Sequence, residues 1–151
     1  MRVLVLSVTI LMLIGCTNTV AKKTVKEEVS KKVFPEIKPD RYNVAFLIMD
    51  GTFNTELTAP FDIFQHTIFR KGIKPMNVFT VADTDKPVTT FEGMRILPDF
   101  NYLKDSLPKI DILVVPSAEH HLDTDLENKE LISFVQRIDK EAQYQQHFHQ
   151  I

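Results

Sequence analysis

Cysteine is almost missing from this chain: its 151 residues include one, Cys16. A single thiol cannot close an internal disulfide, and it excludes CxxC-type zinc or redox sites. There is no tryptophan, and there are only 4 glycines. The glycines form neither a G-x-G-x-x-G nor a Walker-type loop, so nothing here cradles a dinucleotide or nucleotide phosphate, and no cofactor is expected. Neither sign of charge dominates. With 18 Lys+Arg against 20 Asp+Glu the net charge is -2 at pH 7, which leaves no general footprint for nucleic acid, and no such partner is expected. No apolar run reaches the roughly 18 residues that cross a bilayer. What remains, 44% hydrophobic and 25% charged, is the composition of one globular domain.

The charge is unevenly placed. Residues 17–41 carry seven basic side chains (Lys22, Lys23, Lys26, Lys31, Lys32, Lys38, Arg41) against four acidic ones, a net of +3. From Tyr42 onward the net is -6. A basic linker therefore leads into an acidic body.

Met1-Arg2 precedes VLVLSVTILMLI, a short apolar run that closes on Leu13-Ile14-Gly15-Cys16. One basic residue, a short apolar stretch and a small residue before cysteine fit an export signal. The ending resembles the bacterial lipobox, in which the cysteine is acylated and becomes the new N-terminus. The alternative is a buried strand or an uncleaved anchor. The lipobox reading expects a signal peptide over residues 1–15. It then expects a lipidated Cys16 at the head of a Lys-rich tether, residues 16–41. Two or more acyl chains, palmitate among them, anchor stably where one binds marginally. The membrane lipid is then a partner. The expected place is the cell membrane or outer membrane, facing periplasm or exterior, and Thr17 is compatible with outer-membrane sorting. The tether holds Pro35 and Pro39 and reads as a solvated spacer.

In the body, Asn43–Met49, Met76–Ala82 and Ile110–Val115 are continuous apolar runs, each closed by a polar or turn residue. Strands covered on both faces look like this. Between the first two, Leu57, Phe61, Phe64 and Ile68 share one helical face. Pro60 suits a first turn, so the spacing predicts a helix from about Ala59, with Thr58 as cap and Gly72 as stop. Thr124-Asp-Leu-Glu127 has capping-box spacing and predicts a second helix over about 125–141, with Leu131, Val135, Ile138 and Ala142 inward. Residues 86–103 read as a hairpin around Glu92-Gly93. The order predicts an open α/β sheet with helices on both faces. Ligands then belong at the carboxyl ends of the strands, near residues 50–58 and 116–121.

Three segments carry a resemblance to a known family. These are "VAFLIMDGTFNTELTAPFDIF" (44–64), "FTVADTDKPVTTFEGMRILPDFNY" (79–102) and "KIDILVVPSAEH" (109–120). In this order they resemble the ThiJ/PfpI superfamily, relatives of class I glutamine amidotransferases. The resemblance implies an open, mostly parallel sheet flanked by helices, a flavodoxin-like or Rossmann-like sandwich. It places a partial domain at 42–144 and an atypical tail at 145–151. By position it makes Glu56 the acidic residue that bonds a reactive thiol. It makes the Ser117 and Ala118 N–H groups the substrate or oxyanion donors, and it implies a homodimer.

Two departures follow. Pro116-Ser117-Ala118 stands where the family has paired glycines, and side chains there resist positive φ and close backbone approach. No cysteine follows residue 16, so the family's nucleophile elbow is not in this chain. The C-terminal half of the fold is expected to be missing, the ending resembling that of a disrupted gene. The reading is a lipid-anchored family member without thiol catalysis. The alternative is a non-enzymatic lipoprotein that binds a ligand or partner.

Other features have plainer explanations. A carboxylate at position 56 also simply favours a helix N-terminus. His120-His121 with Glu119 and Asp123 offers metal-ligand types but equally a polar turn, and no metal is expected. His147 and His149 read as incidental. No G-x-S-x-G elbow surrounds Ser117.

Overall fold

The computed structural model describes residues 32–148. The expected signal peptide, Cys16, residues 17–31 of the tether and His149 with the end of the tail lie outside the described residues. The chain runs through β1 (Tyr42–Leu47), α1 (Asn54–Gln65), β2 (Met76–Ala82), β3 (Val88–Thr89), β4 (Arg95–Ile96), β5 (Phe100–Asn101), β6 (Ile112–Val114) and α2 (Lys129–Phe148). Four strands form one sheet in the order β5-β2-β1-β6, and β3 and β4 pair separately. All three contacts in the larger sheet are parallel, with Val44 opposite Val78 and Ile112, and Val81 opposite Phe100. β3 and β4 are antiparallel, as the hairpin reading expects.

The apolar runs become strands because both faces of the sheet are covered. Along β1 and just past it, Val44, Phe46 and Ile48 point into a core with Leu57, Phe61 and Phe64 of α1. Ala45 and Leu47 point the other way, into a core with Phe134 and Ile138 of α2. Alternation puts successive side chains on opposite faces, so a strand buried on both sides is mostly apolar, and its buried polar residues, Asn77 and Thr80 of β2, are hydrogen-bonded. Full burial of Phe46 and Leu47 is worth about 1.5–3 kcal/mol for each side chain. The fold is therefore an open α/β sandwich of the flavodoxin-like kind.

Both helix starts differ from expectation. α1 begins at Asn54 with Phe53 as N-cap, leaving Pro60 inside the helix. The turn before Pro60 holds because its orphan N–H groups are met from distant loops. Phe53 N–H donates to the Ser117 carbonyl (3.0 Å), and Asn54 N–H donates to Glu92 Oε2 (3.0 Å). Thr58 is no cap; its hydroxyl donates to the Asn54 carbonyl. Gly72 lies beyond the helix at φ 77°, after a 3-10 turn over His66–Phe69 that leaves Ile68 exposed.

The capping-box sequence opens only a 3-10 turn, Thr124–Glu127. The cap of α2 is Asn128, whose Oδ1 accepts the Leu131 N–H at 3.0 Å. α2 then runs on through Phe148, into the stretch 145–151.

The segment before β1 is no solvated spacer once it reaches Lys32. The Lys32 ammonium bonds Asp85 (2.8 Å) and Asp105 (2.6 Å). Phe34 stacks on Phe100 with ring centroids 5.1 Å apart, and Ile37 packs on the α2-side core. Lys38 exchanges its N–H and carbonyl with the Asn77 amide.

β5 was not foreseen. It is tied to β2 through Asp99, whose Oδ2 accepts both the N–H and the hydroxyl of Thr80, at 2.7 and 2.9 Å. Asp99 N–H returns a bond to the same hydroxyl at 3.0 Å. This gives the Pro98-Asp99 pair its structural meaning.

Candidate functional site

Three loops meet at the carboxyl ends of β1 and β6. The loop after β1 turns at Gly51 (φ 81°), where a Cβ would stand 3.0 Å from Glu119 Cβ. The left-handed backbone and the close approach both require glycine. Gly51 N–H donates to the Thr89 carbonyl, and Glu119 N–H donates to the Gly51 carbonyl. Asp50 Oδ1 accepts the Thr89 N–H at 2.7 Å. Thr52 is fully buried; its hydroxyl donates to the Met49 carbonyl at 2.8 Å. Its backbone pairs with Ala118, while Phe91 N–H donates to its carbonyl. Phe53 meets Phe91 edge-on at 5.1 Å. The hairpin thus locks the β1 loop from one side and the 117–119 segment from the other.

On this frame stand the three residues singled out in the body, and the structure brings them together. Glu56 lies in the first turn of α1. Its Oε2 accepts the Ser117 N–H at 2.9 Å. Bonds from the Ser117 side chain and then its backbone, with a smaller contribution from nearby His121, hold the Glu56 carboxyl below the usual carboxylate range. Glu56 is therefore an anion at neutral pH, an acceptor and not a proton source. Its neighbour Ala118 donates its N–H to His121 Nδ1 at 3.2 Å. The other ring nitrogen, Nε2, lies 4.0 Å from Asp125 Oδ2, beyond hydrogen-bond reach. Both N–H groups expected to meet an oxyanion thus already have side-chain acceptors. No non-glycine residue has positive φ among those described, so the Ser117-Ala118 turn does not adopt the glycine-type conformation.

His120 sits between Glu119 Oε2 (3.8 Å) and Asp123 Oδ1 (3.5 Å). Its neighbour His121 accepts the Ala118 N–H. Among the described residues no three His, Cys, Asp or Glu side chains converge as metal ligands, and the paired histidines serve the turn.

Two clefts open on the α2 side of the same end. One, of about 210 Å³, is lined by Asp50, Asp83, Tyr102, His120, Asp125 and Asn128. The other, of about 300 Å³, is mostly apolar and lies by Val115, Leu126, Leu131 and Val135. Glu56 and Ser117 line neither. Sequence reasoning did not find Thr52, Glu92 or Asp125. Only an acidic residue in each relevant loop could have signalled the last two.

The geometry can be set beside known proteins. No curated protein matches the chain. Among solved structures, DJ-1beta of Drosophila melanogaster superimposes with a TM-score of 0.52 at 15% identity, covering 64% of this chain and 48% of that one. A putative transcriptional regulator protein from Vibrio parahaemolyticus gives 0.54 at 14% identity, covering 67% and 52%. At such identities the likeness shows the fold, and this chain spans about half the length of each. The DJ-1/PfpI family model matches residues 42–144, a span that holds the whole sheet, all three loops of the site and most of α2. With the parallel sheet, the acidic residue opening α1 and the turn after β6 all inside that match, the chain belongs to the DJ-1/PfpI family.

Proposed function

We propose that this chain is a lipid-anchored DJ-1/PfpI-domain protein that performs no thiol chemistry. One observation carries the reading: the only cysteine is Cys16, outside the family match at 42–144 and inside a lipobox-like sequence. The occupied donors at Ser117 and Ala118 support it. An oxyanion hole needs N–H groups aimed at the developing charge; here one faces a carboxylate that an oxyanion would have to displace against like charge. Acylation would consume the sole thiol and leave none for catalysis. The test pairs mass spectrometry of the mature N-terminus with an assay of lactate formation from methylglyoxal. The reading expects an acylated Cys16, loss of membrane association in Cys16→Ser, and no turnover above the buffer rate. Turnover by this chain would overturn it.

The second reading is a non-enzymatic binding module, favoured by the cleft of about 210 Å³ at the carboxyl ends of β1 and β2. It combines apolar walls with a few polar groups, as small-molecule sites do. Its carboxylates suit a small ligand with hydrogen-bond donors. Asp125 Oδ2, buried and without a hydrogen bond, is the acceptor such a donor would meet. A ligand-induced rise in melting temperature that Asp83→Asn abolishes would establish this reading. A homodimer, as the family resemblance implies, is proposed with either, and light scattering reads it directly. The acidic body argues against a nucleic-acid partner.

A further inference from the structure

The segment ahead of β1 has a direction. Lys32 is fixed to Asp85 and Asp105, residues that follow β2 and β5, at the carboxyl end of the sheet. Phe34 lies on Phe100, and Phe100 faces Val81 near the end of β2. Ile37 joins the α2-side core. Lys38 reaches Asn77 at the start of β2, and Tyr42 N–H donates to the Pro75 carbonyl as β1 begins. Residues 32–41 therefore form a strap that runs antiparallel to β2, from the carboxyl end of the sheet back to its amino end. Without it, whatever precedes the domain would leave from the amino end. With it, the preceding chain leaves from the end that carries Glu56, Ser117 and the Asp50–Asp83 cleft.

The geometry points to a strap that orients the domain, so that a chain anchored through Cys16 presents the carboxyl ends of its strands to the bilayer surface. This rests on the lipid-anchor reading above. Magnitudes make it effective. The fifteen residues between Cys16 and Lys32 reach at most about 50 Å. A 100-residue domain has a radius of gyration of about 13 Å, hence a diameter of about 35 Å, so the reach of the tether is comparable to the size of the body it holds. The seven residues of β2 separate the two ends of the sheet by roughly 20 Å. Attraction does not supply the orientation, because the presented end carries Asp50, Asp83, Asp85 and Glu119. Covalent attachment at Lys32 does. A site so placed meets its ligand in the gap between domain and membrane.

The test uses the full lipidated chain in phosphatidylcholine vesicles, whose neutral surface removes charge as a cause. Single cysteines at two exposed positions carry a donor fluorophore, Lys86→Cys beyond β2 and Lys71→Cys before it. Cys16, once acylated, takes no label. Energy transfer to a headgroup acceptor should be at least twofold higher at 86 than at 71. In a Lys32→Glu/Phe34→Ser variant that keeps its circular dichroism, the exit point moves to Tyr42 and the order should reverse. Equal or reversed transfer in the unaltered strap overturns the orientation while leaving the anchor intact. An N-terminus without lipid, seen by mass spectrometry, overturns the anchor reading and the orientation with it.

Discussion

Glu56 and Ser117 are sixty-one positions apart and joined by a 2.9 Å hydrogen bond from the Ser117 N–H to Glu56 Oε2. The pair clamps the start of α1 to the turn after β6, and its strength depends on the carboxylate's charge. Four measurements follow from this and related contacts.

The clamp should fail in acid. A carboxyl held below its ordinary value contributes stability above the unfolded-state pKa, and that contribution is lost as pH falls through the folded-state value. Glu56 is so held by Ser117. Glu56→Gln should therefore flatten the loss of urea stability below about pH 4.5, where an unperturbed glutamate titrates. The effect should be small, because the group is exposed to solvent. An unchanged acid limb in the variant would show that the clamp adds nothing to folding.

Tyr102 should report the opposite limb. Burial first, then Asp83 and Glu130, push its phenol up to about 12, and its ring stacks on Phe134 at 4.4 Å. A group whose ionisation is resisted in the folded state is deprotonated earlier in the unfolded one. Stability should fall as pH rises from about 10 towards 12. Tyr102→Phe should remove the late step from the ultraviolet phenolate titration and blunt that alkaline loss.

The true cap of α2 can be separated from the sequence-like one. Asn128→Ala removes the acceptor for the Leu131 N–H and should cost about 1 kcal/mol in thermal or urea unfolding. Thr124→Ala touches only the preceding 3-10 turn and should change the same measurement by less than half as much. Equal effects would mean that the turn and the helix unfold as one capped unit.

The α1-side core should be the costliest place to lose volume. Phe46 is fully buried, with its ring 5.2 Å from that of Phe61 and 6.0 Å from Phe64. Phe46→Ala should cost about 3–5 kcal/mol. The circular dichroism melt should drop sharply or disappear, whereas Phe69→Ala, at an exposed ring, should leave it near its original midpoint.

How much of this was legible in the sequence depends on how far each partner lies along the chain. β1 and β2 were readable because burial on both faces leaves an apolar run; the third run, Ile110–Val115, also yields a strand, but only the three partly buried residues of β6. Glu56 and Ser117 were reachable through family likeness, since spacing alone never ties residues so distant. The start of α1 was not readable, because its first turn is satisfied by Glu92 and Ser117, which local spacing cannot see. A similar limit hid the strap, whose Lys32 meets carboxylates 53 and 73 positions away. It also hid β5, which is two residues long and held by Asp99. The second cap was misplaced for another reason: Thr124 and Asn128 both precede an acidic or apolar helical pattern, and the local rule cannot rank them. Val115 reads as core by its place in an apolar run, yet it is 45% exposed, because β6 is the last strand of the sheet on that side.

The two margins of the sheet are chemically unlike. On β5, Asn101 N–H donates to Asp105 Oδ2 at 2.6 Å, and its carbonyl accepts from Lys104 and Asp105, so its own loop has satisfied what a neighbour would bind. Beyond β6, no further strand follows among the described residues. In polymer terms the β5 margin is a quenched terminus. A sheet with one margin quenched cannot grow from both sides, and growth from both sides is what step growth into fibres requires. The short loop after Asn101 acts, in that sense, as a chain terminator.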